Sequence, residues 1–68
     1  MTHRQRIKAL QNKWGITRTL MAELISVPYG SLERWENESR EPDAAARAYI
    51  CALCDDVVFE RVTGLSKK

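Results

Sequence analysis

No run in this 68-residue chain approaches the roughly 18 consecutive apolar residues that a membrane-crossing helix needs. The opening Met1-Thr2-His3-Arg4 leads into charge where a secretory signal would be apolar, so a cytoplasmic protein is expected. Cysteine is reduced to Cys51 and Cys54, spaced Cys-x-x-Cys. A structural zinc takes four ligands and there is no second pair, while a thioredoxin-like redox pair belongs to a βαβ context and this one lies in an Ala-rich helical pattern. Both thiols are therefore expected to be core or partly buried, and no disulfide is expected in a reducing compartment. Histidine occurs once, at His3, and the three glycines form no phosphate-cradling loop. With nothing to activate a nucleophile, neither an enzyme nor a cofactor or metal site is expected.

Strand alternation, repeats and low-complexity tracts are also missing, which leaves helices. The spacing predicts a first helix over Thr2–Lys13, with Ile7, Leu10 and Trp14 in one apolar stripe and Gly15 at its end. Asp43 caps a fourth, whose Ala46, Tyr49, Ile50, Leu53 and Cys54 follow helical periodicity. Asp55 or Asp56 opens a fifth that runs to about Thr63 and stops at Gly64. The fold class is all-α, four to five helices. A chain this short buries only about 60% of its unfolded surface, so one compact domain over Met1–Lys68 is the ceiling and a homodimer is the natural remedy.

Between these lies Ile16–Glu36, ITRTLMAELISVPYGSLERWE. Thr17 can cap a second helix from about Arg18 to Ile25, with Met21, Leu24 and Ile25 at helical spacing. Ser26-Val27-Pro28 breaks it, since Pro28 lacks an N–H and disfavours helical geometry at Val27, yet proline suits the start of the next helix. That third helix covers roughly Tyr29–Asn37, with Leu32 and Trp35 inward and Gly30, Ser31, Glu33 and Arg34 outward. Two short helices joined by a tight turn are a helix-turn-helix signature, and the slim outer face suits a major groove.

Thr17, Ala22, Glu23, Leu24, Val27, Leu32, Arg34, Trp35 and Glu36, with the later Arg40 and Pro42, resemble the Xre or lambda-repressor-like helix-turn-helix domain over about Ile7 to Leu53. Relatives with this pattern include small phage repressors, antitoxins that repress their own operon, and anti-CRISPR-associated regulators. Ser26 stands where the family has its turn glycine, Pro28 replaces a serine, Arg18 a glutamine, and Glu38 the glycine after the third helix; Asn37 is expected to take the left-handed cap.

The resemblance implies a dimeric transcriptional regulator of double-stranded DNA, most simply a repressor that occludes its own promoter at an inverted-repeat operator. Half-sites would lie one helical turn, about 34 Å, apart. Arg34 is the leading base contact, bidentate to guanine O6 and N7, its competing role being an ion pair with Glu38. Tyr29, Gly30 and Ser31 occupy the turn where the family touches base edges and phosphates, and Glu33 either accepts from cytosine N4, orients a neighbouring arginine, or is simply solvated.

Net charge is only +2, but Arg4, Arg6, Lys8, Lys13 and Arg18 precede the first acidic residue, Glu23. In helix-turn-helix docking those parts cross the phosphates, so Arg6, Lys13 and Arg18 are expected phosphate contacts, Arg18 also because the resemblance places phosphate contacts there, with Thr17 beside it and Arg40 just past the third helix. Val58, Phe59, Val62 and Leu65 could form a dimer seam, or Phe59 and Val62 could simply cover Trp14 and Leu10. A competing reading is an antitoxin-like module whose Glu36, Glu38, Glu41 and Asp43 cover a basic toxin.

Overall fold

Thr2 opens the first helix with a reciprocal cap: its hydroxyl accepts from the Gln5 N–H at 3.2 Å, and the Gln5 carbonyl oxygen accepts from the Thr2 N–H at 3.0 Å. The computed structural model describes residues 2–66, which form α1 (His3–Trp14), α2 (Arg18–Leu24), α3 (Tyr29–Glu36), α4 (Ala44–Leu53) and α5 (Asp56–Thr63). Thr17 caps α2 through the Leu20 N–H, Asp43 caps α4 through Ala46, and Asp55 caps α5 through Val57 and Val58. Each short polar side chain thus satisfies amide donors that the helix leaves open.

The first three helices close in one way. At the end of α1 the left-handed residue is Gly15, and the Ile16 N–H donates to the Gln11 carbonyl at 3.0 Å. At the end of α2 it is Ser26, φ 60°, with Val27 N–H reaching the Ala22 carbonyl at 3.0 Å. At the end of α3 it is Glu38, φ 63°, with Ser39 N–H on the Arg34 carbonyl at 3.1 Å. All three are Schellman closures. The expectation for Asn37 is corrected: its φ is −91°, because its side-chain oxygen accepts from Ser39 N–H at 2.9 Å and the left-handed step passes to Glu38.

α1 packs on both α3 and α4, α2 on α3, and α4 on α5. The core is Ile7, Leu10, Met21, Ala22, Ile25, Leu32, Ile50, Leu53 and Phe59. Tyr49 of α4 donates its hydroxyl to the Ile25 carbonyl at 2.7 Å, supplying a partner to a carbonyl that the end of α2 leaves open. Burial pushes the Tyr49 phenol above its ordinary pKa.

Burial decides one open alternative and overturns one expectation. Phe59 is fully buried within the chain, its ring stacked on Trp14 at 4.6 Å between centroids, so it offers no surface to a second copy. Cys51 and Cys54 are free and exposed. Cys51 follows Ile50 by one residue and turns about 100° off the buried stripe, and α4 ends at Leu53, before Cys54. Among the described residues, no helix is long and apolar enough to cross a membrane.

Candidate functional site

The short connection between α2 and α3 contains Pro28, which precedes Tyr29 in extended geometry, φ −57° and ψ 137°. Proline brings no side-chain acceptor. Among the described helices α3 is the one whose N-terminus carries no side-chain cap. The Ser31 and Leu32 N–H groups return to the Pro28 carbonyl, at 3.0 and 3.1 Å, leaving the Tyr29 and Gly30 amides at the open end of the helix dipole. A Cβ added at Gly30 would meet nothing within 4 Å, so the backbone there stands clear of the rest of the chain.

At about 100° per residue, burial of Leu32 and Glu36 turns Gly30 and Arg34 outward at the centre of the α3 surface. On one flank stand Tyr29 and Glu33, both exposed and one turn apart. On the other, Ser31 and the half-buried Trp35 line a depression of about 270 Å³ with Arg34, Arg40, Glu41 and Asp43. Ser31, Arg34 and Arg40 are thereby brought together. Among the described residues no carboxylate lies within ion-pairing distance of Arg34, which removes Glu38 as its partner.

Beneath this surface sits a charged group that charge counting alone misplaces. Glu36 is 3% exposed, not part of an acidic face. Its carboxylate accepts from Gln11 Nε2 of α1 at 3.0 Å and from Arg18 Nε of α2, with Lys8 Nζ 3.7 Å away. One carboxylate therefore ties α1, α2 and α3 together. Gln11 and Lys8 were not among the expected site residues, although a helical signal exists: Gln11 follows Ile7, and Glu36 follows Leu32, each by four positions on the buried stripe.

Arg18 carries the network outward. Its Nη1 lies 3.6 Å from Glu33 Oε2 and 3.5 Å from the Tyr29 hydroxyl, and its guanidinium carbon is 5.9 Å from the Tyr29 ring centre. The Tyr29 hydroxyl foremost, and then Glu36, raise its already high pKa against the opposing effect of burial. Of the other expected phosphate contacts, Arg40 stands beside Arg34 and Thr17 adjoins Arg18, while Lys13 and Arg6 are engaged elsewhere. Lys13 is ion-paired to Asp56 of α5, Arg6 borders a cleft with His3, Glu38, Glu41 and Arg47, and Thr17 spends its hydroxyl on capping α2.

Among the described residues, the large apolar side chains at the surface are Leu20, Tyr29, Val57 at 56% and Val62 at 39%. Val58 is half-buried, and Leu65 packs on the chain's own core. Comparison with protein-family models, with curated proteins and with solved structures finds no match to this chain.

Proposed function

We propose that this protein is a cytoplasmic, sequence-specific regulator of double-stranded DNA, in which α2, the Ser26–Pro28 turn and α3 act as a helix-turn-helix of the Xre or lambda-repressor-like kind. The observation that carries the reading is the exposed face of α3: an N-terminus without a side-chain cap, an unobstructed backbone at Gly30, and a guanidinium at Arg34 that no carboxylate pairs among the described residues, all outward on one short helix. Free amides at a helix start suit phosphate, and a guanidinium one turn later suits guanine O6 and N7. Ser31 and Arg40 supply further donors beside Arg34. The protein acts as a homodimer on an inverted repeat with half-sites about 34 Å apart, and represses its own small operon by occlusion.

The antitoxin-like alternative is left with Glu38, Glu41 and Asp43 as its exposed acidic residues, because Glu36 is enclosed by Gln11 and Arg18. Arg34→Ala tests the preferred reading. Binding titrations should show discrimination at one base pair falling by about 1–3 kcal/mol, with a much smaller loss on scrambled duplex. Equal losses on both duplexes would remove Arg34 from base reading.

A further inference from the structure

Arg18 has an unusual position for a surface cation. Its inner edge is held by Glu36, which is itself held by Gln11, so the guanidinium is anchored to the core of the chain. Its outer Nη1 is shared between Glu33 at 3.6 Å and Tyr29 at 3.5 Å. Glu33 and Tyr29 are one turn apart on α3, and Arg18 from α2 spans them. Tyr29 is 44% exposed and Glu33 is also open to solvent, so both remain available to a ligand.

A carboxylate entering a groove walled by phosphates is repelled unless its charge is offset nearby. Arg18 provides that offset without occupying the whole carboxylate, which retains acceptor capacity on its outer side. Of the two exocyclic amines in the major groove, adenine N6 lies beside the N7 acceptor, which repels a carboxylate, so cytosine N4 is the donor that fits. The inner anchor matters equally. A lysine ammonium, being a point charge, cannot hold Glu36 with one nitrogen while reaching Glu33 and Tyr29 with another.

We propose that Arg18 is a specificity-positioning residue: anchored on Glu36, it holds Glu33 and Tyr29 on α3 so that Glu33 accepts from cytosine N4 at one position of each half-site. The inference rests on the DNA-reading function proposed above. It makes Arg18 more than a phosphate contact, and it gives the departure from glutamine at this position a consequence for base choice.

The test is a titration of wild type, Arg18→Lys and Glu33→Gln against the selected duplex and its single-base variants, at several salt concentrations. Glu33→Gln leaves the Arg18–Glu36 anchor in place, so it tests the reading even if substitution at Arg18 disturbs folding. Wild type should favour cytosine at one half-site position by about tenfold. Both variants should lose that preference while Arg34-dependent guanine selection persists, and Arg18→Lys should keep the wild-type salt slope. An unchanged cytosine preference in either variant overturns the proposal. So does a loss in Arg18→Lys that is uniform across the single-base variants, which identifies a general backbone contact and leaves the DNA-reading function standing. A wild type with no preference at any position overturns both.

Discussion

Gly30 separates what the fold wants from what the proposed function wants. Its backbone is ordinary helix and a Cβ would strike nothing, so Gly30→Ala should stabilise the chain by roughly 0.5–1 kcal/mol through helix propensity. If α3 lays its first turn against DNA, the same methyl intrudes on the contact, and affinity should fall by about tenfold. Thermal melts and binding titrations on one preparation check the pair of effects. A rise in both stability and affinity would show that the backbone at Gly30 is not an approach surface.

Tyr49 makes a different residue-scale case. Tyr49→Phe strands the Ile25 carbonyl and should cost about 1–2 kcal/mol in urea unfolding at neutral pH. Because burial raises the folded phenol above its ordinary value near 10, the unfolded chain loses the proton first as pH rises. The contribution is therefore intact below about pH 10 and lost as pH climbs through the folded value. The gap between wild type and Tyr49→Phe should narrow over that window.

The elements follow from their ends, and two of those ends are strained. Ser26 and Glu38 hold the left-handed conformation that glycine adopts freely, one after α2 and the other after α3. Ser26→Gly and Glu38→Gly should each raise stability by about 1 kcal/mol in denaturant titrations, because each relieves a Cβ clash without removing a side-chain hydrogen bond recorded for that residue.

The starts at Thr17, Asp43 and the Asp55-Asp56 pair were legible in the sequence because such caps act on amides two or three residues away, whereas Thr2 was read as the first helical residue and proves to be the cap. Gly15 and Gly64 marked two stops for the same local reason. Where the third helix closed was not legible at that resolution: whether Asn37 or Glu38 turns left-handed depends on which carbonyl receives Ser39, a one-residue difference. The candidate site divides similarly. The outward placement of Gly30 and Arg34 follows from helical period alone, whereas the link between Arg18 and Glu36 requires α2 and α3 to be placed in space. Glu36 read as surface because it is charged, although its spacing from Leu32 already put it on the inner stripe. Phe59 and the valines of α5 look alike in one dimension, and only the position of Trp14 distinguishes them.

At the scale of the whole molecule, burial of Phe59 narrows the proposed two-fold seam on α5 to the exposed Val57 and Val62 and the half-buried Val58. Val62 is exposed, so Val62→Asp should leave the helical content and melting cooperativity of the chain intact, and on the proposed homodimer it should shift sedimentation from dimer to monomer. A variant that still sediments as a dimer would place the seam elsewhere. Loss of the dimer should also weaken binding to a two-half-site duplex far more than to a single half-site, since the second contact then ceases to be intramolecular.

The central claim is that the outer face of α3 reads base pairs. In-vitro selection of bound duplexes from a random DNA pool at moderate salt tests it most directly. Enrichment of an inverted repeat with half-sites about one helical turn apart is the predicted result. A folded, helical protein that enriches no sequence would contradict the claim, leaving DNA no more than a polyanion to which the chain binds without reading it.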